Sequence, residues 1–307
     1  MSKAEIIYNM AEMSGCEAYM NEPMSRHTTC GVGGEAQYWI EPDSFECMQN
    51  VVNFFKDRNI PVHTVGRGSN LIVREGGIRG AVIHPAAGEF AKLELRGNKI
   101  IAGAGVKLKK LAAFAAQNGI SGFEWMDGIP GYVGGSLRQN AGAMGGEMWN
   151  VFHSALALND DGDIVTFEKE TMRPAQYRLI PDFEHNIVMQ ATFCGTPGNP
   201  AEIENYTEEC RTKRKASQPV EPSAGCTFVN PPEIPAGKLI DELGLKGYTI
   251  GGAQVSTKHA NFIVNIGKAK ATDVTELIDY IRNKAKEERG ITLRTEVQVV
   301  GDREAEF

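Results

Sequence analysis

The sequence predicts an α+β fold divided into two or three domains, and three observations lead to this prediction. The chain has 307 residues, of which 42% are hydrophobic, enough for more than one buried core. Patterns typical of strands and patterns typical of amphipathic helices both occur along it. A glycine-rich turn also joins two predicted strands directly, where a dinucleotide-binding βαβ unit would continue into a helix.

The first third of the chain is predicted to begin with a helix over residues 1–22, which is charged in every turn. A second helix is predicted to open at Asp43–Phe45 and to run through MQNVVNFFKDRN, because its apolar residues form one stripe. Strands are predicted at 61–65 and 81–84. Between them lies the glycine-rich run GRGSNLIV at 66–73.

The middle third contains a second glycine-rich run, GIPGYVGGSLRQNAGAMGGE at 128–147. A helix is predicted before it, from Leu108 to Asn118, with Gly119 as the C-terminal stop. Strands are predicted around these segments at 99–102, 164–167 and 187–193.

The last third follows Pro197–Pro200, whose turn residues mark a domain boundary. A charged helix is predicted over 202–215, and an amphipathic helix after a cap at Asp273. A closing strand is predicted over 295–300, where side chains alternate. The predicted domains are 1–90, 91–199 and 200–307.

Composition excludes several classes of function. The net charge is -7 and no basic block occurs, so we expect no nucleic-acid partner. The N-terminus lacks the apolar core of a secretory signal, and no segment approaches the ~18 apolar residues of a membrane span. The six cysteines form no C-x-x-C pair. We therefore expect a cytoplasmic protein with free thiols and no metal site.

The two glycine-rich runs indicate a ligand with a pyrophosphate. Glycine lets backbone N–H groups approach a ligand closely, and several such groups in one concavity bind anions. The first run offers this backbone together with the hydroxyl of Ser69 and the amide of Asn70, and the second adds Asn140 as a polar handle. Neither run matches the dinucleotide-binding fingerprint or the P-loop. Tight loops without a ligand are the alternative, but two such runs together favour a dinucleotide.

Several motifs, in order, resemble the UDP-N-acetylenolpyruvoylglucosamine reductase family, over about residues 23–301 and in its shorter subtype. They are HTT at 27–29 with Gly33 and Gly34, GRGSNLIV at 66–73, GIPGYVGG at 128–135, NAGAMGGE at 140–147, Tyr177 with Arg178, PSAGCTFVNP at 222–231, AGKLIDELGLKGYTIGGAQVSTKHANFIVN at 236–265, and Glu296.

The resemblance implies an FAD-binding unit like that of vanillyl-alcohol-oxidase proteins, formed by the first two domains, and a C-terminal substrate domain. Noncovalent FAD would be held by residues of both glycine-rich runs. These are Gly66, Gly68, Ser69, Asn70, Leu71, Gly128, Ile129, Pro130, Gly134, Gly135, Asn140, Ala141 and Gly142.

The family reaction passes a hydride from NADPH through FAD to the enolpyruvyl group of UDP-N-acetylglucosamine-enolpyruvate. By resemblance, Arg178 holds the carboxylate and the developing enolate, and Glu296 assists enol formation. Without the family, an ordinary salt-bridge partner would be the favoured interpretation of Arg178, and a solvated strand face would be a strong alternative for Glu296. Tyr177, Asn230, Gln254 and His259 would bind the substrate, aided by Lys258, and no obligate protein partner is expected.

Cys226 departs from the family, which has a serine as proton donor at this position. A free thiol has a pKa near ~8.5 and can deliver a proton more readily than an alcohol. Ser223 is a weaker alternative donor, and a buried spacer is the structural alternative for Cys226. Val229, where a lysine is usual, is a second departure.

Two other functions remain open from the sequence: a different FAD-dependent oxidoreductase on this fold, and a non-catalytic sensor of flavin or UDP-sugar. The oligomeric state and the preference for NADPH over NADH are not encoded in any motif of the chain.

Overall fold

The computed structural model describes residues 2–13 and 15–303. The helices of these residues are α1 Lys3–Ala11, α2 Phe45–Lys56, α3 Leu108–Gln117, α4 Val133–Arg138, α5 Met148–Val151, α6 Pro200–Ser217, α7 Ala236–Glu242 and α8 Ala271–Arg289. The strands are β1 Cys16–Pro23, β2 Glu35–Pro42, β3 Val62–Thr64, β4 Leu71–Val73, β5 Ile78–Ile83, β6 Leu93–Arg96, β7 Lys99–Gly103, β8 Ile120–Ser121, β9 Gly142–Ala143, β10 Gly146–Glu147, β11 Phe152–Leu158, β12 Ile164–Glu168, β13 Ile187–Cys194, β14 Thr196–Pro197, β15 Ser223–Cys226, β16 Thr249–Ile250, β17 Ala253–Val255, β18 Phe262–Asn265 and β19 Gln298–Val300.

Three larger sheets organise these strands. The first has the order β1-β2-β5-β3, the second β12-β11-β13-β7-β6 and the third β15-β18-β17-β16. The second and third are antiparallel, whereas β3 and β5 pair in parallel. Strand β4, which follows the first glycine-rich run, pairs in parallel with the closing strand β19. Both helices and sheets therefore contribute to an α+β architecture.

The chain separates into two compact units. The first comprises Met1–Met20, Tyr38–Arg67 and Gly80–Arg214, and the second comprises Asn21–Gln37, Gly68–Arg79 and Lys215–Phe307. The predicted break at residue 199 lies inside the first unit, because that unit includes most of α6. The division into 1–90, 91–199 and 200–307 remains a prediction.

Three hydrophobic cores fill these units. The first unit contains one core around Met48, Phe55 and Ile83, and another around Leu111, Phe183 and Phe193. The second unit contains a core built from α7, α8 and the third sheet. In α8, the predicted stripe of Val274, Leu277, Ile278 and Ile281 is buried in this core, as its helical spacing requires.

Most predicted elements are confirmed, and the differences have physical causes. Helix α2 begins after Ser44, whose hydroxyl accepts the Cys47 N–H, and α3 stops at Gly119, which has a φ of +65°. The predicted helix over 1–22 is wrong beyond Ala11, because Cys16–Pro23 forms strand β1. No residue of β1 is fully buried, so its sequence carries no alternating apolar signal.

Two C-terminal predictions are also corrected. Helix α8 begins at Ala271, and Asp273 lies inside its first turn, where it accepts the N–H groups of Lys270 and Gly252. The closing strand covers only Gln298–Val300, because the N–H groups of Glu296 and Val297 bind the carbonyl of Thr227 instead.

None of the helices in the described part of the chain is long and apolar enough to cross a membrane. Within the same residues, no group of three or more His, Cys, Asp or Glu side chains is arranged to hold a metal ion.

Candidate functional site

The first unit carries the second glycine-rich run, which contains two kinds of glycine. Some are glycine because protein atoms lie too close for a side chain. A Cβ on Gly134 would stand 3.0 Å from the Ala104 methyl, and one on Gly142 would stand 2.7 Å from the Gly146 carbonyl oxygen. A Cβ on Gly128 would collide with the side chain of Arg214 at 2.3 Å. Backbone contact requires glycine at 142 and contact with Ala104 disfavours a side chain at 134, whereas the flexible Arg214 side chain could move aside at 128.

Gly66 and Gly135 have no such explanation. A Cβ on Gly135 would have no atom within 4 Å, and one on Gly66 would make only ordinary contact with Tyr132 at 3.7 Å. Neither has a positive φ that would require glycine. The bare backbone at these two positions fits close approach by a group outside the protein, as expected for a cofactor.

An aromatic row lies beside Gly66, and the sequence did not reveal it. The rings of Trp39 and His84 stack at 4.9 Å between centroids, and His84 lies 6.0 Å from Tyr132. Nδ1 of His84 donates to the Val65 carbonyl at 2.9 Å, and because a carbonyl only accepts, that nitrogen carries the proton. The row gives this side of the glycine backbone a rigid apolar wall.

Asn140, the predicted polar handle, is tied into the framework of the first unit. Only 3% of it is exposed, and its side-chain amide binds groups of the protein. Oδ1 accepts the Trp149 N–H at 3.0 Å, and Nδ2 donates to Glu147 Oε2 at 3.0 Å and to the Gln176 carbonyl at 3.3 Å. These contacts give no support to a side-chain bond from Asn140 to the cofactor.

Arg178 occupies a tight turn. The N–H of Gln176 donates to the Leu179 carbonyl at 2.8 Å, and the N–H of Leu179 donates back to the Gln176 carbonyl at 3.1 Å. Arg178 has a φ of +58°, which is uncommon for a residue with a side chain and typical of functional sites. Its guanidinium carbon lies 5.1 Å from the ring centre of the exposed Tyr177. The turn thus presents the predicted arginine and tyrosine side by side.

The second unit carries the first glycine-rich run beyond Arg67. Gly68 has a φ of +62°, and a Cβ there would stand 2.2 Å from the His27 carbonyl oxygen, so only glycine fits. The following Asn70 donates from Nδ2 to the Glu296 carbonyl at 3.1 Å, and its own carbonyl accepts the Gln298 N–H at 3.0 Å. The loop is therefore fixed against the closing segment that carries Glu296.

Cys226 lies beside the same closing segment. It ends β15, where Ser223 pairs with Val264 and Cys226 pairs with Phe262, so one extra residue forms a bulge. Gly225 in this bulge has a φ of +81°. Bulges of this kind redirect a side chain and are frequent next to active sites. Cys226 is half-buried and is not in a disulfide.

The closing segment that carries Glu296 pairs through its backbone with the residues just after Cys226. The Glu296 N–H donates at 2.8 Å to the carbonyl of Thr227, the residue after Cys226. Glu296 is partly buried, whereas Arg294 and Gln298 on the same alternating face are exposed. This difference favours a site residue over the solvated face that alternation alone also allowed.

Thr29 is a supporting residue that the sequence reading did not single out. Its N–H donates to the Gly68 carbonyl at 3.3 Å, and its hydroxyl donates to the Ser223 carbonyl at 2.7 Å. One residue thereby joins the glycine-rich loop to the strand that carries Cys226. The motif HTT marked the segment, but no pattern within it indicates which hydroxyl makes the link.

The predicted substrate-binding residues of the second unit make hydrogen bonds within the protein. Asn230 Oδ1 accepts the Ala236 N–H at 2.9 Å at the start of α7, and Gln254 Nε2 donates to Thr249 Oγ1 at 3.0 Å within its hairpin. Nδ1 of His259 accepts the Asn261 N–H at 3.2 Å. Burial lowers the pKa of His259, aided by the charge of Lys246, so its ring is neutral at pH 7.

Lys258 donates from Nζ to the main-chain carbonyl of Lys215. This contact agrees with the alternative of a surface turn as well as with a role beside the substrate.

The other cysteines provide a contrast to Cys226. Cys30, Cys47 and Cys210 are buried, and burial raises the pKa of Cys30 to about 11. All six cysteines lie in the described part of the chain, and none of them is in a disulfide.

Comparison with known proteins shows two family models that match parts of this chain. A model of an FAD binding domain matches residues 36–168, and a model of the UDP-N-acetylenolpyruvoylglucosamine reductase C-terminal domain matches residues 218–300. The solved UDP-N-acetylenolpyruvylglucosamine reductase of Thermus caldophilus is similar with a TM-score of 0.78 and 35% identity, covering 92% of this chain and 98% of that one. The predicted combination of an FAD-binding unit and a C-terminal domain is confirmed by these matches.

Curated relatives named UDP-N-acetylenolpyruvoylglucosamine reductase extend over almost the whole chain. The protein of Caldanaerobacter subterraneus subsp. tengcongensis is 40% identical, over 93% of this chain and 94% of its own length. That of Listeria monocytogenes serotype 4a is 42% identical, over 92% of this chain and 95% of its own length. The chain belongs to the UDP-N-acetylenolpyruvoylglucosamine reductase family.

Proposed function

We propose that this chain reduces UDP-N-acetylglucosamine-enolpyruvate to UDP-N-acetylmuramate with NADPH, using FAD as its cofactor, as a step in bacterial cell-wall precursor synthesis. Family membership over 93% of the chain supports this reaction. The observation that carries it further is the bare backbone at Gly66 and Gly135, because no protein atom requires glycine at these two positions and an approaching cofactor would.

The residues fit FAD. Gly66 and Gly135 present backbone with room for a ligand, and Ser69 and Asn70 lie on a loop fixed at both ends. The two glycine-rich runs are completed by the main chain of the other predicted residues, which are Leu71, Ile129, Pro130, Ala141 and the remaining glycines. When bound, FAD accepts a hydride from NADPH and supplies a hydride to the distal carbon of the enolpyruvyl group.

Three side chains carry the remaining chemistry in this proposal. The guanidinium of Arg178 binds the substrate carboxylate and stabilises the enolate that forms when the distal carbon gains the hydride, since it is planar and always charged. Cys226 then transfers its Sγ proton to the neighbouring carbon, which completes the reduction. Glu296 assists formation of the enol at the carboxyl end.

Substrate binding is assigned to Tyr177, Asn230, Gln254 and His259. Tyr177 is 62% exposed and lies beside Arg178, so both side chains would face the same end of the substrate. The neutral His259 ring carries its proton on Nε2, since Nδ1 accepts a bond, so it acts as a hydrogen-bond donor and not as a cation. Asn230 keeps its NH₂ group for a ligand while its oxygen caps α7.

The cellular compartment of the reaction follows from its reductant and from the free thiols of the chain. We propose that the enzyme works in the cytoplasm, where NADPH is the common reductant and where its six thiols would stay reduced. The substrate is a small UDP-sugar, and the proposal requires no protein partner.

Purified protein is expected to be yellow and to oxidise NADPH rapidly only when UDP-N-acetylglucosamine-enolpyruvate is added. Acid denaturation should release FAD into solution, since no covalent link is proposed. The measurement is the absorbance of NADPH and flavin with and without substrate, together with product analysis. NADPH oxidation without any substrate reduction would instead indicate a different flavin oxidoreductase, and a protein that takes up FAD but never turns over would indicate a sensor.

Gly135→Ala is expected to leave the apoprotein folded and at least as stable as wild type, yet to weaken FAD binding by about tenfold or more, or about 1.4 kcal/mol. A methyl there meets no protein atom, and alanine is favoured over glycine in a helix. FAD titration and apoprotein melting measure the two effects separately.

Gly134→Ala is the matched control, one residue away in the same helix. Its methyl would press on Ala104 at 3.0 Å, so this variant should lower the melting temperature of the apoprotein. Unchanged FAD affinity in Gly135→Ala would remove Gly135 from the cofactor site.

A further inference from the structure

The turn that carries Arg178 is anchored at both ends by the segment that follows α4. At one end, the Gln176 carbonyl accepts a hydrogen bond from Nδ2 of Asn140 at 3.3 Å. At the other end, the N–H of Ile180 donates to the carbonyl of Arg138 at 3.2 Å. Ile180 is also fully buried in the core of the first unit, which fixes the exit of the turn.

Asn140 is suited to its end of this link by its chemistry and conformation. A primary amide provides both an acceptor and donors, and its three bonds to Trp149, Glu147 and Gln176 use both kinds. Its φ of +38° is one that asparagine and aspartate tolerate better than most residues. A replacement must therefore satisfy a backbone requirement as well as the hydrogen bonds.

Arg178 depends on such anchors because its own backbone is strained. A residue with a side chain at a φ of +58° keeps that conformation only when its surroundings hold it. The Gln176 carbonyl is shared, since it also accepts the N–H of Leu179 that closes the turn. Loss of the Asn140 bond would remove a fixed contact at the base of the turn.

We propose that Asn140 is a positioning residue for Arg178: through the Gln176 carbonyl, it holds the turn in the conformation that aims the guanidinium at the substrate carboxylate. This rests on the role proposed above for Arg178. Asn140 acts through the turn and touches neither the substrate nor the reacting atoms. It connects the predicted cofactor-binding segment to the group that stabilises the enolate.

The test uses the holoenzyme and the variant Asn140→Asp combined with Glu147→Gln. Aspartate at position 140 keeps the acceptor for the Trp149 N–H and tolerates the positive φ. The amide that Glu147→Gln introduces can donate to this aspartate, so the bonds to Trp149 and to residue 147 are retained. The donor to the Gln176 carbonyl is lost, and a carboxylate oxygen faces that carbonyl in its place. Glu147→Gln alone is the matched control, since Asn140 can still donate to Gln176 and to the new amide oxygen.

The double variant is expected to reoxidise its reduced flavin with substrate roughly ten- to a hundredfold more slowly than wild type, because small misplacement of a catalytic group has such effects. Flavin reduction by NADPH should be unchanged, and Glu147→Gln should resemble wild type in both half-reactions. In an Arg178→Ala background the same double change should add little, since the residue to be positioned is absent.

The outcomes separate the two proposals. Wild-type reoxidation in the double variant, with a slow Arg178→Ala, would overturn the positioning role and leave the role of Arg178 intact. Wild-type reoxidation in Arg178→Ala itself would overturn the proposed function of that residue. Three results would each show a purely structural role for Asn140. They are equal slowing of both half-reactions, full additivity with Arg178→Ala, and loss of bound FAD in the double variant.

Discussion

Alanine in place of Cys226 is expected to slow reoxidation of the reduced flavin by UDP-N-acetylglucosamine-enolpyruvate by ~10²–10⁴-fold, the usual effect of losing one positioned acid. Flavin reduction by NADPH should keep its rate, because no proton is delivered to the substrate in that step. Cys226→Ser should retain substantial turnover, since a hydroxyl can donate from the same position. Stopped-flow absorbance of the flavin, coupled to product analysis, measures both half-reactions.

Cys194→Ala is the matched control for Cys226→Ala. Cys194 is also half-buried, but it lies in β13 and takes no part in the proposed chemistry. A thiol-alkylating reagent should inactivate wild type and spare Cys226→Ser, and substrate should protect the thiol. The buried Cys30, with its pKa raised to about 11, should react slowly.

If Cys226→Ala matches wild type in reoxidation and product formation, the proton comes from another group. Ser223→Ala then tests the nearest hydroxyl on β15. A defect in Ser223→Ala alone would move the acid to that residue, and no defect in either variant would indicate water as the donor.

Arg178→Ala is expected to slow reoxidation by substrate by a factor on the order of 10² or more, because it removes the charge that stabilises the developing enolate. Reduction by NADPH should change much less. Arg178→Lys should recover only part of the rate, since an ammonium keeps the charge but cannot bind a carboxylate through two parallel bonds. Single-turnover kinetics of the two half-reactions provide the measurement.

Melting temperature and FAD content serve as controls for the Arg178 variants. Leu179 and Ile180, which close the turn, are unchanged in them, so both quantities should stay near wild type. Equal losses in the two half-reactions would mean that the substitution disrupted the site and did not remove a specific charge.

Elements with their own local signal were predictable from the sequence. Helix α2 has an apolar stripe and a serine cap, and α3 ends at a glycine with positive φ, so both follow from short-range rules. Strand β1 was missed because none of its residues is fully buried and they gain strand structure only by pairing in a sheet. Such pairing is a tertiary effect that local propensity does not report.

The candidate site was predictable in its segments and less so in its individual residues. The two glycine-rich runs were correctly recognised as unusual, but packing accounts for Gly134 and Gly142, and only Gly66 and Gly135 remain without an internal reason. Asn140 is predicted to contact the cofactor because its amide lies among glycines. Its hydrogen bonds to Glu147, Trp149 and Gln176 could not be predicted, since no sequence pattern connects these residues to it.

The links within the second unit also have a consequence for how the chain folds as it is synthesised. Thr29 binds Ser223 across 194 residues, Asn70 binds Glu296 across 226, and Asn265 binds Cys30 across 235. Contacts so distant in sequence require closure of long loops and slow the search for the native state. Strand β4 waits for a parallel partner, β19, that is synthesised long after it. The loop that carries Ser69 and Asn70 therefore acquires its final anchors only after the segment around Glu296 has left the ribosome.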